Sequence, residues 1–505
     1  MPKIQHDGPA HAAPPAALPI LTGTAAWNPP KASVVPLPPA VLPAAIAAGI
    51  GVLVLLPLDR PGLGWVLSGL ILAAAVFVVD RRARGDAPRH FTPASALWAA
   101  TALALLAVGF VRASGWLFVL CVIAAFVTGS LAVVGRRTVN TIFYEVLAVP
   151  IEALLALPWI RRAFTPKPRT GGRERRSVLL AVGASLLLLA VFVPLLAGAD
   201  ATFADLVSSM TPEIRVGTVF RWILVFSLAG LGVVGACYVL ASPPPPALGE
   251  SPRRRLAHRL EWTLPLGVLV ALFAVFVGVR LVVLFGGTGY VLRTGGLTSA
   301  EYARSGFWQL CTITVLTLAL VAAALRWAPV TEAADRAWQR GLLGALSALS
   351  LVLVASALSR MWTYQQAYGF TVLRLLVEVC ELWLGALFVL VLLSLVRLRP
   401  QWLPRAAIGA AAAALLALAV LNPEGFIADR NIDRAAHGKE LDTRYLAGFS
   451  TDVVSAVDRL PEPRRSCVLR PVVWQLDADG WQAWNLSRAG ARQVVSAPPP
   501  VPSPC

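Results

Sequence analysis

The chain has 505 residues, of which 57% are hydrophobic and only 14% charged, with a mean hydropathy of +0.70. A soluble domain is nearer a quarter charged, so composition excludes an ordinary soluble fold and indicates an integral membrane protein. The formal net charge of +17 does not imply a nucleic-acid partner. Cytoplasmic loops of membrane proteins collect Lys and Arg, and no RNP-like or zinc-finger pattern is present.

In chain order, residues 1–40 are rich in Pro and Ala, with few charges and little periodicity, and read as a disordered tail. Near Met1 there is no compact basic start, short apolar core and small-residue cleavage site, so the first apolar run is expected to remain as an anchor. A membrane-spanning helix needs about 20 mostly apolar residues, and about eleven segments supply them. They lie near 41–58, 61–79, 94–111, 115–135, 177–197, 216–241, 263–285, 306–326, 341–359, 371–396 and 404–421. Backbone groups in lipid must be bonded within their own segment, so the spans are helices. The expected fold class is all-α: a polytopic transmembrane helix bundle over 41–421, then a small extracytoplasmic helical cap over 422–505. Residues 138–160 are also apolar, but Glu145, Glu152 and two prolines argue against a further span. An amphipathic or re-entrant segment on the cytoplasmic face is expected there.

The loops give orientation. Arginines and lysines gather after the even-numbered spans: Arg81, Arg82, Arg84 and Arg89, then Arg136 through Arg176, Arg253 through Arg259, Arg326 through Arg340, and Arg397 through Arg405. The odd-numbered exits carry fewer, beside acids such as Asp59, Asp205 and Glu301. The alternation puts the N-terminus in the cytoplasm and the C-terminus outside the cytoplasmic (inner) membrane. Partners expected on this basis are the lipid bilayer and, at the basic loops, anionic lipid headgroups; no protein partner is indicated. Cys121, Cys237, Cys311 and Cys380 lie within spans, whereas Cys467 and Cys505 both fall in the external tail. In an oxidising compartment those two are candidates for a disulfide, with free thiols as the alternative.

Familiar catalytic signatures are missing: no phosphate-binding loop, no paired metal-ligand histidines, no nucleophile elbow. No cofactor and no metal are expected, and no catalytic residue is assigned. What stands out is charge near the outer ends of the spans. Arg221, Arg280 and Arg374 lie inside apolar runs, and Arg374, Glu378 and Glu381 share one helical face. Ionisable groups in spans usually face a bundle interior or a wet cavity, although arginines alone near an interface also snorkel. External loops add Glu301, Tyr302 and Arg304 in one stretch, and Arg360, Tyr364 and Tyr368 in another. After the last span, Asn422 is a good helix N-cap before Pro423. The helix NPEGFIADRNIDRA then carries Asp429, Asn431 and Arg434 as further candidate ligand-binding groups. Its like-charged pairs one turn apart need outside partners, with Glu301, Arg304 or Arg360 as candidates. Leu446, Phe449, Val453, Val457 and Leu460 predict a second amphipathic helix.

Taken together, LFGG (284–287), SAEYARSGFWQL (299–310), SALSRMWTYQQAYGFTVLRL (356–375), the run from Asn422 through HGKELDTRYLAGFSTDVV, WNLSRAGAR (484–492) and ADATFADLV (199–207) look familiar. This ordered set resembles a bacterial multi-spanning membrane family catalogued as a domain of unknown function, the 4153/4173 group. The resemblance begins near residue 45 and implies a multi-pass protein of the cytoplasmic membrane, with no known activity, cofactor or catalytic residue.

The leading functional expectation is a non-enzymatic membrane protein that binds or senses an envelope component, or scaffolds a membrane complex, through an outward-facing polar cavity. A transferase acting on a lipid-linked substrate at the outer leaflet is one alternative: arginines would hold a phosphate and a carboxylate would act as base. A transporter is the other, although no internal repeat of the kind many transporters carry is visible.

Overall fold

A computed structural model of the protein describes residues 36–84, 92–135, 142–161, 216–241, 259–285, 307–328, 332–397, 400–473 and 479–495, with isolated positions at 181–200 and at 476. Every regular element among them is helical. The chain opens with α1 (Val41–Leu55), α2 (Leu63–Arg84), α3 (Pro93–Val111), α4 (Gly115–Val134), α5 (Ile142–Leu155) and α6 (Leu157–Arg161). It continues with α7 (Val216–Ala241), α8 (Arg259–Phe285), α9 (Phe307–Trp327), α10 (Ala333–Tyr368), α11 (Val372–Arg397) and α12 (Leu403–Leu421). Nine of these, α2 to α4 and α7 to α12, are long and apolar enough to cross a membrane. α1, at 15 residues, falls short of that length.

The helix ends lie within a few residues of the apolar runs read from sequence, because span length is a local property of the chain. The fifth expected span, 177–197, lies almost wholly outside the described residues, as do the tail up to residue 35 and most of the basic loops. A count of eleven spans is therefore not established. The largest departure is α10. Its 36 residues run well past the apolar stretch 341–359, so Arg360, Tyr364 and Tyr368 sit on the helix itself rather than in a loop. The connection to α11 shrinks to Gly369–Thr371, and Gly369 turns it at φ +88, a backbone region that only glycine enters cheaply. Of the segment 138–160, the described part from Ile142 onward folds as α5 and α6. At 14 residues, α5 rises about 21 Å, too short for a roughly 30 Å hydrocarbon layer.

Packing divides the helices into two groups, with α3 and α4 joining the first through α2, α5 and α7. α1, α2, α5, α6 and α7 share one core, centred on Val41, Ala48, Trp159 and Val233. α8, α9, α10 and α11 share a second, around Leu343, Leu346, Val321 and Phe273. α12 lies between the groups, against α11 on one side and α3 and α4 on the other.

The remaining elements are short: α13 (Pro423–Ala436), α14 (Thr443–Ala447), α15 (Val454–Val457), α16 (Arg464–Val473) and α17 (Leu486–Val494), with single 3-10 turns between some of them. They form a cap whose core (Ile427, Leu446, Val453, Val457, Leu469) is continuous with α3, α4, α11 and α12. The cap thus rests on both groups of spans. The second amphipathic helix expected over 446–460 is broken into pieces, although its apolar residues are buried as the spacing predicts. The break falls where Ser450 turns its hydroxyl to the Asp452 N–H, at 3.3 Å, and gives its own N–H and O–H to Glu424. Bonds to a distant residue replace the helical ones.

Candidate functional site

The polar groups of the cap meet the spans at three places, each built on a helix end. A helix leaves unbonded N–H groups at its start and unbonded carbonyls at its finish, and what the cap offers differs accordingly. Entering α4, the N–H groups of Ala113 and Ser114 both donate to Asp452 Oδ2, at 3.0 Å. Beside it Glu424, buried at 4% exposure, accepts four hydrogen bonds. Ser114 Oγ and Trp116 Nε1 donate to one oxygen at 2.8 and 3.0 Å, and Ser450 N and Oγ to the other at 2.7 and 2.6 Å. Asn422 caps α13 by accepting from Gly425 N, and its amide donates to Asp452 O at 3.0 Å. Arg112 donates to the last carbonyls of α12, Ala419 and Val420, at 2.7 and 3.1 Å.

The second place is the turn from α10 to α11. Asn431 brackets Phe370, accepting from its N–H and donating to its carbonyl, both at 2.9 Å. Arg434 donates to the carbonyls of Gln366 and Ala367 at 3.2 and 3.0 Å. Arg374 donates to those of Tyr368 and Gly369, and its guanidinium lies 4.5 Å from the centre of the Tyr364 ring, which packs on Tyr368. Val372 N donates to the Tyr445 hydroxyl at 2.9 Å. Burial, and then the neighbouring Arg374, push the Arg434 guanidinium below its usual value; burial pushes the Tyr445 phenol up.

The third place is the seam where residues 479–485 lie across the start of α2. Gly62 permits the approach, since a Cβ there would stand 2.5 Å from the Ala483 backbone. Leu63 N donates to Trp484 O at 3.0 Å. Asn485 donates to Gly109 O and Arg112 O at the end of α3. Asp479 takes Arg488 at 2.9 Å and Arg492 at 2.8 Å, with Arg60 at 3.5 Å. Burial raises the Asp479 carboxyl, but the bonds from Arg488 and Arg492 outweigh it and hold the group below the usual carboxylate range. Next to this knot is a pocket of ≈ 290 Å³ lined by Asp59, Arg221, Trp222, Gln482 and the end of α1. Arg221 Nη1 reaches both Asp59 oxygens, at 3.0 and 3.4 Å, and both side chains remain open to solvent.

The structure therefore gathers Asn431, Arg434, Arg374, Tyr364 and Tyr368 at one turn and keeps Arg221 apart at the seam. Arg374, Glu378 and Glu381 share a helical face as expected, but among the described residues Arg374 pairs with neither acid. Glu378 instead accepts from Gln365 at 3.2 Å, and Arg360 is buried in α10. Asp429 and Asp433 share Arg459, at 2.6 and 3.3 Å, while Arg430 lies over Phe426. The aspartates of α13 thus share a partner inside the cap, whereas its arginines part, Arg430 toward Phe426 and Arg434 toward the carbonyls of α10. Glu301, Tyr302 and Arg304, and the side chain of Arg280, lie outside the described residues. Cys467 is disulfide-bonded and the four cysteines in spans are free; Cys505 also lies outside the described residues. Among those described, no group of three acids, histidines or cysteines is placed to hold a metal.

Sequence reading missed Glu424, Asp452, Asn485 and Asp479. Asn485 and Asp452 carry local turn signals, but Ser114 and Asp452 are 338 residues apart, and no local pattern announces such a pairing. No curated protein and no solved structure matches the chain significantly. Residues 100–460 match a domain of unknown function, DUF4153, and with most of its length inside that match the chain belongs to this family.

Proposed function

We propose that the protein is a multi-pass component of a bacterial cytoplasmic membrane, with its N-terminus in the cytoplasm and its cap outside, and that it binds or senses an envelope component at the cap–bundle seam. The observation that carries this reading is the ≈ 290 Å³ pocket in which Asp59, Arg221 and Gln482 converge beside Trp222. Two further candidate arginines, Arg374 and Arg434, are committed to helix carbonyls. The Asp59–Arg221 pair is exposed and cheaply exchanged for a ligand, as surface pairs are worth about 0–1 kcal/mol.

Two observations support the outward orientation. The junctions at 59–62, 112–114 and 369–371, all external by the charge pattern, meet the cap, and Cys467 is disulfide-bonded, as expected of an oxidising compartment. Whole-cell labelling with a membrane-impermeant maleimide tests it, with the cysteines in spans replaced by Ala or Ser. Labelling of Cys467 is expected after reduction and not before. Labelling that requires lysis would turn the cap to the cytoplasm and end the outward reading. For the pocket, Arg221→Glu is expected to abolish the response to envelope stress while folded protein persists; an unchanged response counts against it.

A further inference from the structure

The seam pocket shares a wall with a second cavity. Leu56 lines both, and the second, of ≈ 370 Å³, descends between α2, α3, α4 and α7. This second cavity is walled by apolar side chains, among them Leu72, Leu106, Val122 and Val233. Its two hydroxyl groups are already satisfied: Ser68 donates to Gly64 O and Ser130 to Glu145 O, at 2.7 and 2.8 Å. Nothing in its walls asks for a polar partner. Along α2 it runs from Trp65 to Val76, about 16 Å at about 1.5 Å per residue, and along α4 it continues to Val133, near the far end of that helix, so it is long enough to take an acyl chain. Phe126, half exposed, stands on its lining, so the cavity is open to the lipid side. Gly129 and Gly232 also line it, and a Cβ at either would meet nothing within 4 Å.

At the upper end, exposed Trp222, Trp481 and Trp484 surround the seam. Tryptophans of this kind mark the headgroup level of a bilayer. The seam therefore presents one guanidinium and one carboxylate at headgroup depth, beside an apolar slot that runs down into the bundle.

Resting on the seam reading above, we propose that the envelope component is a zwitterionic phospholipid of the outer leaflet carrying a phosphate and a primary ammonium. Its phosphate takes the place of Asp59 on the Arg221 guanidinium, whose planar donors suit a phosphate. Its ammonium pairs with the released Asp59 carboxylate, and one acyl chain lies in the slot. The exchange keeps charge balanced, because one ion pair becomes two between the same numbers of cations and anions. An anionic lipid without an amine would satisfy Arg221 and leave Asp59 facing only negative charge, so the pair selects for the amine.

The test uses the full chain in nanodiscs of equimolar phosphatidylethanolamine and phosphatidylglycerol, with lipids retained on the released protein identified by native mass spectrometry. The wild type is expected to retain phosphatidylethanolamine in preference. Arg221→Gln should lower its retention about tenfold, the loss of a charge-assisted bond. Asp59→Asn should cancel the preference or turn it toward phosphatidylglycerol. Gly129→Leu and Gly232→Leu should expel both lipids by filling the slot, and each exchange favours the helix it sits in. Retention in bulk proportion, indifferent to all four substitutions, would overturn the proposal. A polar non-lipid molecule that is lost with Arg221→Gln but kept with Gly232→Leu would overturn the lipid assignment and leave the seam reading standing. If neither Arg221→Gln nor Asp59→Asn changes what is bound, the seam reading falls as well.

Discussion

At the corner between α3 and α4 the cap presents carboxylates, Glu424 and Asp452, whereas at the corner between α10 and α11 it presents an amide and a guanidinium, Asn431 and Arg434. The first corner is the start of a helix, where N–H groups lack acceptors, and Asp452 supplies one to Ala113 and Ser114. The second is the end of a helix, where carbonyls lack donors, and Arg434 and Arg374 supply them. The helix dipole adds to the same preference, favouring anions at a start and cations at a finish. The sign of each cap side chain follows from which end of a helix it covers. Much of the charge that drew attention in the sequence as ligand-binding is therefore committed to closing the bundle. The exposed Asp59–Arg221 pair stands outside this pattern.

Substitutions at the two corners sharpen the contrast. The largest effect is expected for Glu424→Ala, which strands four donors, that of Ser114 buried and the other three partly buried, and should cost about 3 kcal/mol, read as a lowered unfolding midpoint of the detergent-solubilised protein. A cost below about 1 kcal/mol would mean that water replaces the carboxylate and that the corner is not dry. Next is Asn431→Ala, which frees both backbone groups of Phe370 and should cost about 2 kcal/mol; hydrogen exchange at Phe370 should accelerate while that at Ser114 stays slow. Parallel acceleration at both sites would show that the corners open together and that the comparison between them is false. Arg434 is more exposed, so Arg434→Ala should cost only about 1 kcal/mol. Arg434→Lys should not restore the loss, because an ammonium lacks the fork that spans two carbonyls; full rescue would reduce the role of Arg434 to charge alone.

The smallest effect concerns pH. Asp479 is held below its unfolded value, so its contribution is complete above the usual Asp pKa of about 3.9 and is lost as pH falls through the lower folded value. Acidification below about pH 4 should therefore loosen the 479–495 segment, read as faster exchange at Leu63. Asp479→Asn should flatten that dependence. A profile unchanged by the substitution would assign the acid sensitivity to other carboxylates.

The spans, their approximate ends and the all-helical class follow from the sequence alone, because lipid forces each crossing segment to satisfy its own backbone and to be apolar over a set length. The Asn422 cap was legible for a similar reason: its partner, Gly425 N, is three residues away. Less was visible where the partner is distant. That 360–368 continues α10 rather than forming a loop, that Asp429 and Asp433 share Arg459, and that Arg374 turns to carbonyls instead of Glu378 were all decided by packing. So was the broken helix at Ser450, whose N–H meets Glu424 26 positions away. A polar side chain near a span end announces that it needs a partner, not which one; many donors and acceptors in the chain have suitable chemistry. Only the tertiary arrangement, by bringing one helix end beneath one side chain, turns an apparent ligand site into a helix cap and leaves Asp59 and Arg221 paired with each other and exposed at the seam.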